Sequence, residues 1–195
     1  MNGIISDFCW KFIVGGQGGV GKTTLLYRFV HNEFVENMVM TIGVQFHKQF
    51  LERNGNKISL ILWDLGGQDQ FKSIHKDYIR GASAGVVCFD LSNRSTFEGS
   101  IEWIKMFQHS MPGLPILLVG TKFDLIKDNN DVIIKIIEDA NNIVKQYGLL
   151  GVAFTSAKDG DYGFNVVETI YYMVDVLLSN MNLPQESILC DRIEG

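Results

Sequence analysis

Eight consecutive residues, Gly16-Gln17-Gly18-Gly19-Val20-Gly21-Lys22-Thr23, fit the spacing GxxxxGK[ST], and residues of these types in this order can hold phosphate. The glycines let the backbone curl until successive N–H groups aim at one set of anionic oxygens, and a helix beginning there adds its positive end. Gly18, Gly19, Val20 and Gly21 would line such a cradle, with Thr24 beside it. Lys22 has the reach for β and γ phosphates, and the Thr23 hydroxyl is a hard oxygen ligand of the kind Mg²⁺ takes. A glycine-rich turn with a surface lysine would read the same in isolation. Context separates the two: the apolar run Phe8 to Val14 reads as a buried strand before the loop, and Leu25, Leu26, Phe29 and Val30 recur at helical spacing after it.

Three later segments add chemistry to that cradle. Asp64-Leu65-Gly66-Gly67-Gln68 closes an apolar run. A carboxylate at the end of a strand beside a phosphate loop can hold Mg²⁺, usually through water. Gly67 can bring backbone up to a γ-phosphate, and Gln68 can orient a water without being a strong base. Thr121-Lys122-Phe123-Asp124 follows another apolar run. Asp124 can accept from the N1–H and 2-amino group of guanine, whereas adenine would leave it unpaired, so the carboxylate selects guanine. Lys122 can lay its aliphatic stem over a base or against the phosphate loop. Thr155-Ser156-Ala157-Lys158 ends a further run, where a backbone N–H can reach guanine O6. Either of the last two segments is weak alone, because a strand followed by a polar loop is common.

The elements that must position these residues alternate between strand-like and helix-like stretches, the pattern of an open α/β sheet. Val44, Phe46, Lys48 and Phe50 alternate with polar residues up to Asn54-Gly55, and Ile58 to Trp63 returns, which predicts an antiparallel hairpin. Gly85 to Leu91, Pro115 to Gly120 and Gly151 to Thr155 read as buried strands. Helices are predicted from Ser92 or Asn93 through Phe107, around Ile133 to Val144, and from Val166 to Leu177, their apolar stripes read as core. Periodicity is lost after Pro184. The expected organisation is one domain over residues 1–183 and a flexible tail over 184–195.

Composition narrows the class. The chain has 195 residues, 46% hydrophobic and 20% charged, as expected of one globular domain with a full core. A formal net charge of −5 and no basic run argue against a nucleic-acid partner. Cys9, Cys88 and Cys190 are odd in number and lack metal-site spacing, so Cys9 and Cys88 are expected in strand cores and Cys190 in the tail. His31, His47, His75 and His109 show no ligand spacing and are expected at the surface or in packing. No apolar stretch reaches the length of a membrane span, Gly3 is not a second-position glycine, and Cys190 is followed by five residues rather than ending a C-a-a-X box. The expectation is a cytoplasmic monomer without an intrinsic lipid anchor, leaving peripheral membrane recruitment open.

Taken together, the four motifs resemble the Ras superfamily of small GTPases over about residues 8 to 180. Within it, Ile42 to Phe46, Gln70 to Ile74 and Tyr78 to Ala82 are similar to segments that mark Rab proteins. Trp63 to Gln68, Phe89 to Ser92 and Gly120 to Lys122 are similar instead to the septation-initiation GTPases of fungi. The resemblance implies a P-loop G domain: a six-stranded, mostly parallel sheet with one antiparallel strand and about five helices. It implies GTP/GDP and Mg²⁺ as ligands, with Thr23, Thr41 and Asp64 at the metal, Phe34 on the guanine ring, and switch segments at about residues 32–43 and 65–80. Slow hydrolysis would rest on Gln68, Thr41 and Lys22, and Phe46, Trp63 and Tyr78 match a patch that meets effectors. An exchange factor and a GTPase activator supplying an arginine are the other implied partners.

Four features depart from the family pattern or carry particular weight. Thr121 stands where the family has asparagine, leaving one hydroxyl in place of an amide. Met38 occupies the place of a tyrosine that closes over the phosphates. At Gly18 the family implies that a side chain would crowd Gln68 and an incoming arginine. The cysteine tail expected of a Rab is not seen. Two other functions stay open at this level: a nucleotide-binding scaffold that barely hydrolyses, and an ATP-using P-loop enzyme.

Overall fold

The computed structural model describes residues 6–68, 72–160 and 163–181, giving the backbone alone for 72–74. Gly3, Gln70, Phe71, the side chains of Lys72, Ser73 and Ile74, Cys190 and the segment 184–195 lie outside the described residues. The described chain forms β1 (Phe8–Gly15), α1 (Lys22–His31), β2 (Val44–Arg53), β3 (Asn56–Leu65), α2 (Lys72–Ile79), β4 (Ala84–Asp90), α3 (Arg94–Ser110), β5 (Ile116–Thr121), α4 (Asn130–Tyr147), β6 (Gly151–Phe154) and α5 (Val166–Met181). A single 3₁₀ turn, Phe123–Leu125, follows β5.

The sheet order is β2-β3-β1-β4-β5-β6, parallel except for β2. The expected six-stranded α/β fold with one antiparallel strand and five helices is therefore the one observed. Asn54 and Gly55 turn the β2–β3 hairpin at φ of 51° and 76°, the left-handed pair that a tight hairpin needs.

Alternation along the buried strands builds two cores. Phe12, Val14, Val86, Cys88, Leu117 and Val119 face α1 and α5, where Leu25, Leu26, Ile170, Met173 and Val174 meet them. Ile13, Val87, Phe89, Ile116 and Leu118 face the other side, where Trp103, Ile104, Phe107, Ala140 and Ile143 close the second layer. Each fully buried side chain of this size contributes roughly 1.5–3 kcal/mol, so the sheet is a stiff platform for the loops at its C-terminal edge.

Local signals set the helix starts. Asn93 accepts from the Ser95 N–H and caps α3, and Asn129 accepts from the Val132 N–H and caps α4. The α2 helix shows no stripe in the sequence, being eight residues long and mostly polar. One expectation is corrected: Cys88 is buried, but Cys9 is exposed. At Cys9, β1 pairs only with β3, because pairing with β4 begins at Phe12, and Cys9 lies on the face opposite Phe8, Trp10 and Phe12, which pack in the first core. On β2 the apolar alternation points outward, leaving Phe46 and Phe50 exposed.

Candidate functional site

Parallel register carries the end of every core strand to one edge. Val14 pairs with Asp64, Gly15 with Val87, Asp90 with Thr121 and Gly120 with Phe154. The loop Gly16–Gly21 runs from that edge into α1, and its carbonyls are held by donors behind it. Lys22 Nζ donates to the carbonyls of Gly16 and Gln17, each at 2.9 Å. Lys122 Nζ donates to the Gly19 carbonyl at 2.9 Å. The Thr121 hydroxyl reaches the Val20 carbonyl. With the carbonyls held, the loop can offer its N–H groups to an anion. Gly21 (φ 93°) begins α1, and among the described residues no side chain caps that first turn, so its positive end is open to a phosphate. Burial lowers the Lys22 pKa, with the Asp64 charge opposing the shift.

Beside this cradle three oxygens converge. Thr23 Oγ1 lies 2.7 Å from Thr41 Oγ1, Thr41 Oγ1 donates to Asp64 Oδ2 at 3.0 Å, and Thr23 Oγ1 bonds the same carboxylate oxygen. Asp64 is wholly buried, and its Oδ1 has no hydrogen-bond partner among the described residues. Burial raises its pKa, opposed by the Thr23 bond, the Lys22 charge, the Thr41 bond and the charge of His47. Two hydroxyls and a carboxylate with an unpartnered oxygen form a hard donor set that fits Mg²⁺. The three residues named for the metal from sequence are thus brought together from α1, the loop before β2, and β3.

A second pocket adjoins the cradle. Phe34, Thr121, Lys122, Asp124, Ala157 and Lys158 line it, and Gly21, Thr24, Glu36 and Lys122 belong to both pockets, so they form one cleft. The 3₁₀ turn after β5 sets Asp124 at the wall. Its Oδ1 accepts from the Ser156 hydroxyl at 2.6 Å, while Ser156 Oγ accepts from the N–H groups of Lys158 (3.2 Å) and Asp159 (3.1 Å). The serine turn after β6 therefore orients the carboxylate. Lys122 does what its stem length allows, spanning the cleft to the phosphate loop.

The region between residues 32 and 43 covers the phosphate end, where Met38, Val39 and Met40 line the pocket with Thr41 and Gly67. Gly67 is pressed on the cradle: a Cβ there would lie 2.3 Å from Gln17 C and from Gly18 N. A Cβ on Gly18, by contrast, meets nothing within 4 Å among the described residues. In this arrangement the Gln68 amide donates to Met40 Sδ at 2.7 Å.

Phe46, Trp63 and Tyr78 form a continuous row, with ring centroids 5.8 Å apart for the first pair and 5.6 Å for the second. Phe46 is 68% exposed, and Val39 and Ile42 are exposed as well.

Sequence reasoning missed Asp90. Its Oδ2 accepts from Lys122 Nζ at 2.6 Å, while Oδ1 accepts from the Ser92 N–H and hydroxyl, so it aims the lysine across the cleft. Its signal was an acidic residue at the end of a wholly apolar strand. Glu36, shared by both pockets, and Lys11, with Nζ 4.2 Å from the Trp63 ring centroid, carried no motif at all. His75 is buried against Trp103, and His31 and His47 are 6.5 Å apart. No cluster of three metal-ligating His, Cys, Asp or Glu side chains occurs among the described residues.

Comparison with known proteins agrees with this geometry. The profile of the Ras family matches residues 11–178. The Ras-related protein Rab-19 of Bos taurus is 35% identical over 179 residues, covering 91% of this chain and 79% of the relative. Rab-19 of Homo sapiens is 34% identical over 178 residues, with 91% and 79% covered. Rab-12 of Homo sapiens is 34% identical over 185 residues, covering 91% of this chain and 70% of that protein.

Proposed function

Since this chain belongs to the Ras family of small GTPases, we propose that it is a switch that binds GTP, hydrolyses it slowly to GDP, and changes its affinity for effectors through residues 32–43 and 65–80. The observation that carries this reading is the single cleft that joins the Asp124 pocket to the Gly16–Thr23 cradle and to the Thr23–Thr41–Asp64 oxygens.

In the proposed reaction Asp124 selects guanine and Phe34 packs on the base, while the loop N–H groups and Lys22 hold the β and γ phosphates. Thr23, Thr41 and Asp64 would hold Mg²⁺, which when bound neutralises charge on the phosphates. Gln68 leaves Met40 and, with the Thr41 carbonyl, positions a water in line with the γ-phosphorus. Lys22 and the loop N–H groups then stabilise charge that develops as the bond to the β–γ bridging oxygen breaks. The segment 32–43 contains no arginine, so fast turnover requires one from a GTPase activator, worth on the order of 10³ to 10⁵ in rate. Loss of the γ-phosphate removes contacts of Thr41 and Gly67, which releases both segments and the Phe46–Trp63–Tyr78 surface between them.

The test is single-turnover hydrolysis of Mg²⁺·GTP by the intact chain, with ATP as competitor: slow phosphate release, unaffected by ATP, is expected. One observation favours a second reading, a guanine-nucleotide scaffold with little hydrolysis: the Gln68 amide is engaged by Met40 Sδ. No phosphate release from tightly bound GTP would select it.

The partners proposed are effectors, an exchange factor and a GTPase activator. Resemblance to proteins named Rab supports a role in intracellular trafficking, with septation-type signalling as the alternative. We place this action in the cytoplasm, with recruitment to membranes through partners. No helix among the described residues is long and apolar enough to cross a membrane.

A further inference from the structure

Two side-chain donors at the end of β5, on Thr121 and Lys122, line the base pocket and are engaged with the phosphate loop. Thr121 lies in its wall and is 4% exposed. A hydroxyl carries one proton, and Thr121 Oγ1 is within hydrogen-bond distance of two carbonyls, Val20 in the phosphate loop and Phe89, at 3.0 Å, in β4. Both can only accept, so that proton stays with them. Lys122 Nζ is held by the Gly19 carbonyl and by Asp90 at the phosphate side. The Ser156 hydroxyl proton goes to Asp124, and the N–H groups of Lys158 and Asp159 go to Ser156 Oγ. The carboxylate in the pocket wall is Asp124, an acceptor, with Ala157 also lining the pocket.

We infer that this site reads guanine along its N1 and 2-amino edge through Asp124 and leaves the ring nitrogen N7 unread, with Thr121 acting as a positioning residue for the phosphate loop. The inference rests on the guanine-nucleotide reading above. Consecutive residues at the end of β5 support it: Thr121 and Lys122 hold the consecutive loop carbonyls of Val20 and Gly19, and would sit on the cradle as a strut whether or not a base is present. An unread N7 accepts no hydrogen bond from the protein, so replacing it by C–H removes nothing. The 2-amino group, in contrast, donates to a carboxylate held by Ser156, and its removal leaves that acceptor short of a partner.

The experiment measures the affinity of the intact chain, with Mg²⁺, for GTP, 7-deaza-GTP and inosine triphosphate by displacement of fluorescent GDP. GTP and 7-deaza-GTP are expected to agree within threefold, and inosine triphosphate to bind about tenfold more weakly or worse. Thr121→Val should weaken GTP and 7-deaza-GTP by the same factor, because the loop loosens under both. A loss greater than threefold for 7-deaza-GTP in the unaltered chain overturns the inference, as does a Thr121→Val effect confined to GTP. The comparison in the unaltered chain stands even if the variant does not fold. Failure of GTP itself to bind would overturn the guanine-nucleotide reading, and this inference with it.

Discussion

Replacing Gly67 by alanine should separate binding from switching. The added Cβ would sit 2.3 Å from Gln17 C, 2.3 Å from Gly18 N and 2.6 Å from Gln17 O, all of them backbone atoms of the phosphate cradle. A flexible side chain could swing away, but a loop whose carbonyls are tied to Lys22, Lys122 and Thr121 cannot do so cheaply. Ordinary contact begins at 3.4 Å, so the chain at Gly67 must retreat by about 1 Å. Overpacking of this kind costs about 1–3 kcal/mol when the neighbours stay in place. In the proposed function Gly67 approaches the γ-phosphate, which assigns that cost to the GTP-bound state. The affinity for GTP should therefore drop roughly 5- to 140-fold relative to GDP, and a displacement of that size near the reacting atoms can slow hydrolysis by about 10²-fold. Displacement of fluorescent GDP by each nucleotide and single-turnover phosphate release from Gly67→Ala measure the two effects. An unchanged GTP-to-GDP affinity ratio together with unaltered hydrolysis would refute the reasoning. Gly18→Ala is the internal control, because its Cβ meets nothing within 4 Å among the described residues and nucleotide affinity should hold within about twofold.

Gln68→Leu is expected to keep GTP affinity and reduce single-turnover hydrolysis by at least about 10²-fold, since the residue is assigned to water positioning only; wild-type phosphate release would rule that role out. Thr23→Asn should weaken Mg²⁺·GTP more than GDP, because the hydroxyl belongs to the oxygen set around Asp64; equal losses for both nucleotides would remove it from that set. Burial raises the Asp64 carboxyl above its ordinary 3.8, so the ligand-free protein carries no penalty below that value, where the folded and unfolded chains are both protonated. Stability should fall as pH climbs from 3.8 through the raised value, where ionisation is costlier in the folded state than in the unfolded one. Thermal melts of ligand-free protein between about pH 4 and 7 should show this loss in the wild type and a flatter profile in Asp64→Asn; parallel profiles would contradict it.

Much was determined by the amino-acid sequence alone. The Gly16–Thr23 loop, the strand-end carboxylate, the Asp124 proposed to select guanine and the alternation of strands with helices are local patterns: each depends on spacing along a few residues or on the two periodicities of 2 and 3.6. Asn93 marked its helix start for the same reason. Tertiary structure alone decided what lies between segments far apart in the chain. It brought Thr41 and Thr23 onto one oxygen of Asp64 and set Asp90 to aim Lys122, and it turned Thr121 toward the Val20 and Phe89 carbonyls. It also exposed Cys9 where β1 outruns β4, and it pointed Phe46 and Phe50 outward, because register and the neighbour on each face set burial in a strand. A residue's type and spacing limit the chemistry it can do, whereas its partners follow from which strand ends the parallel sheet carries to one edge.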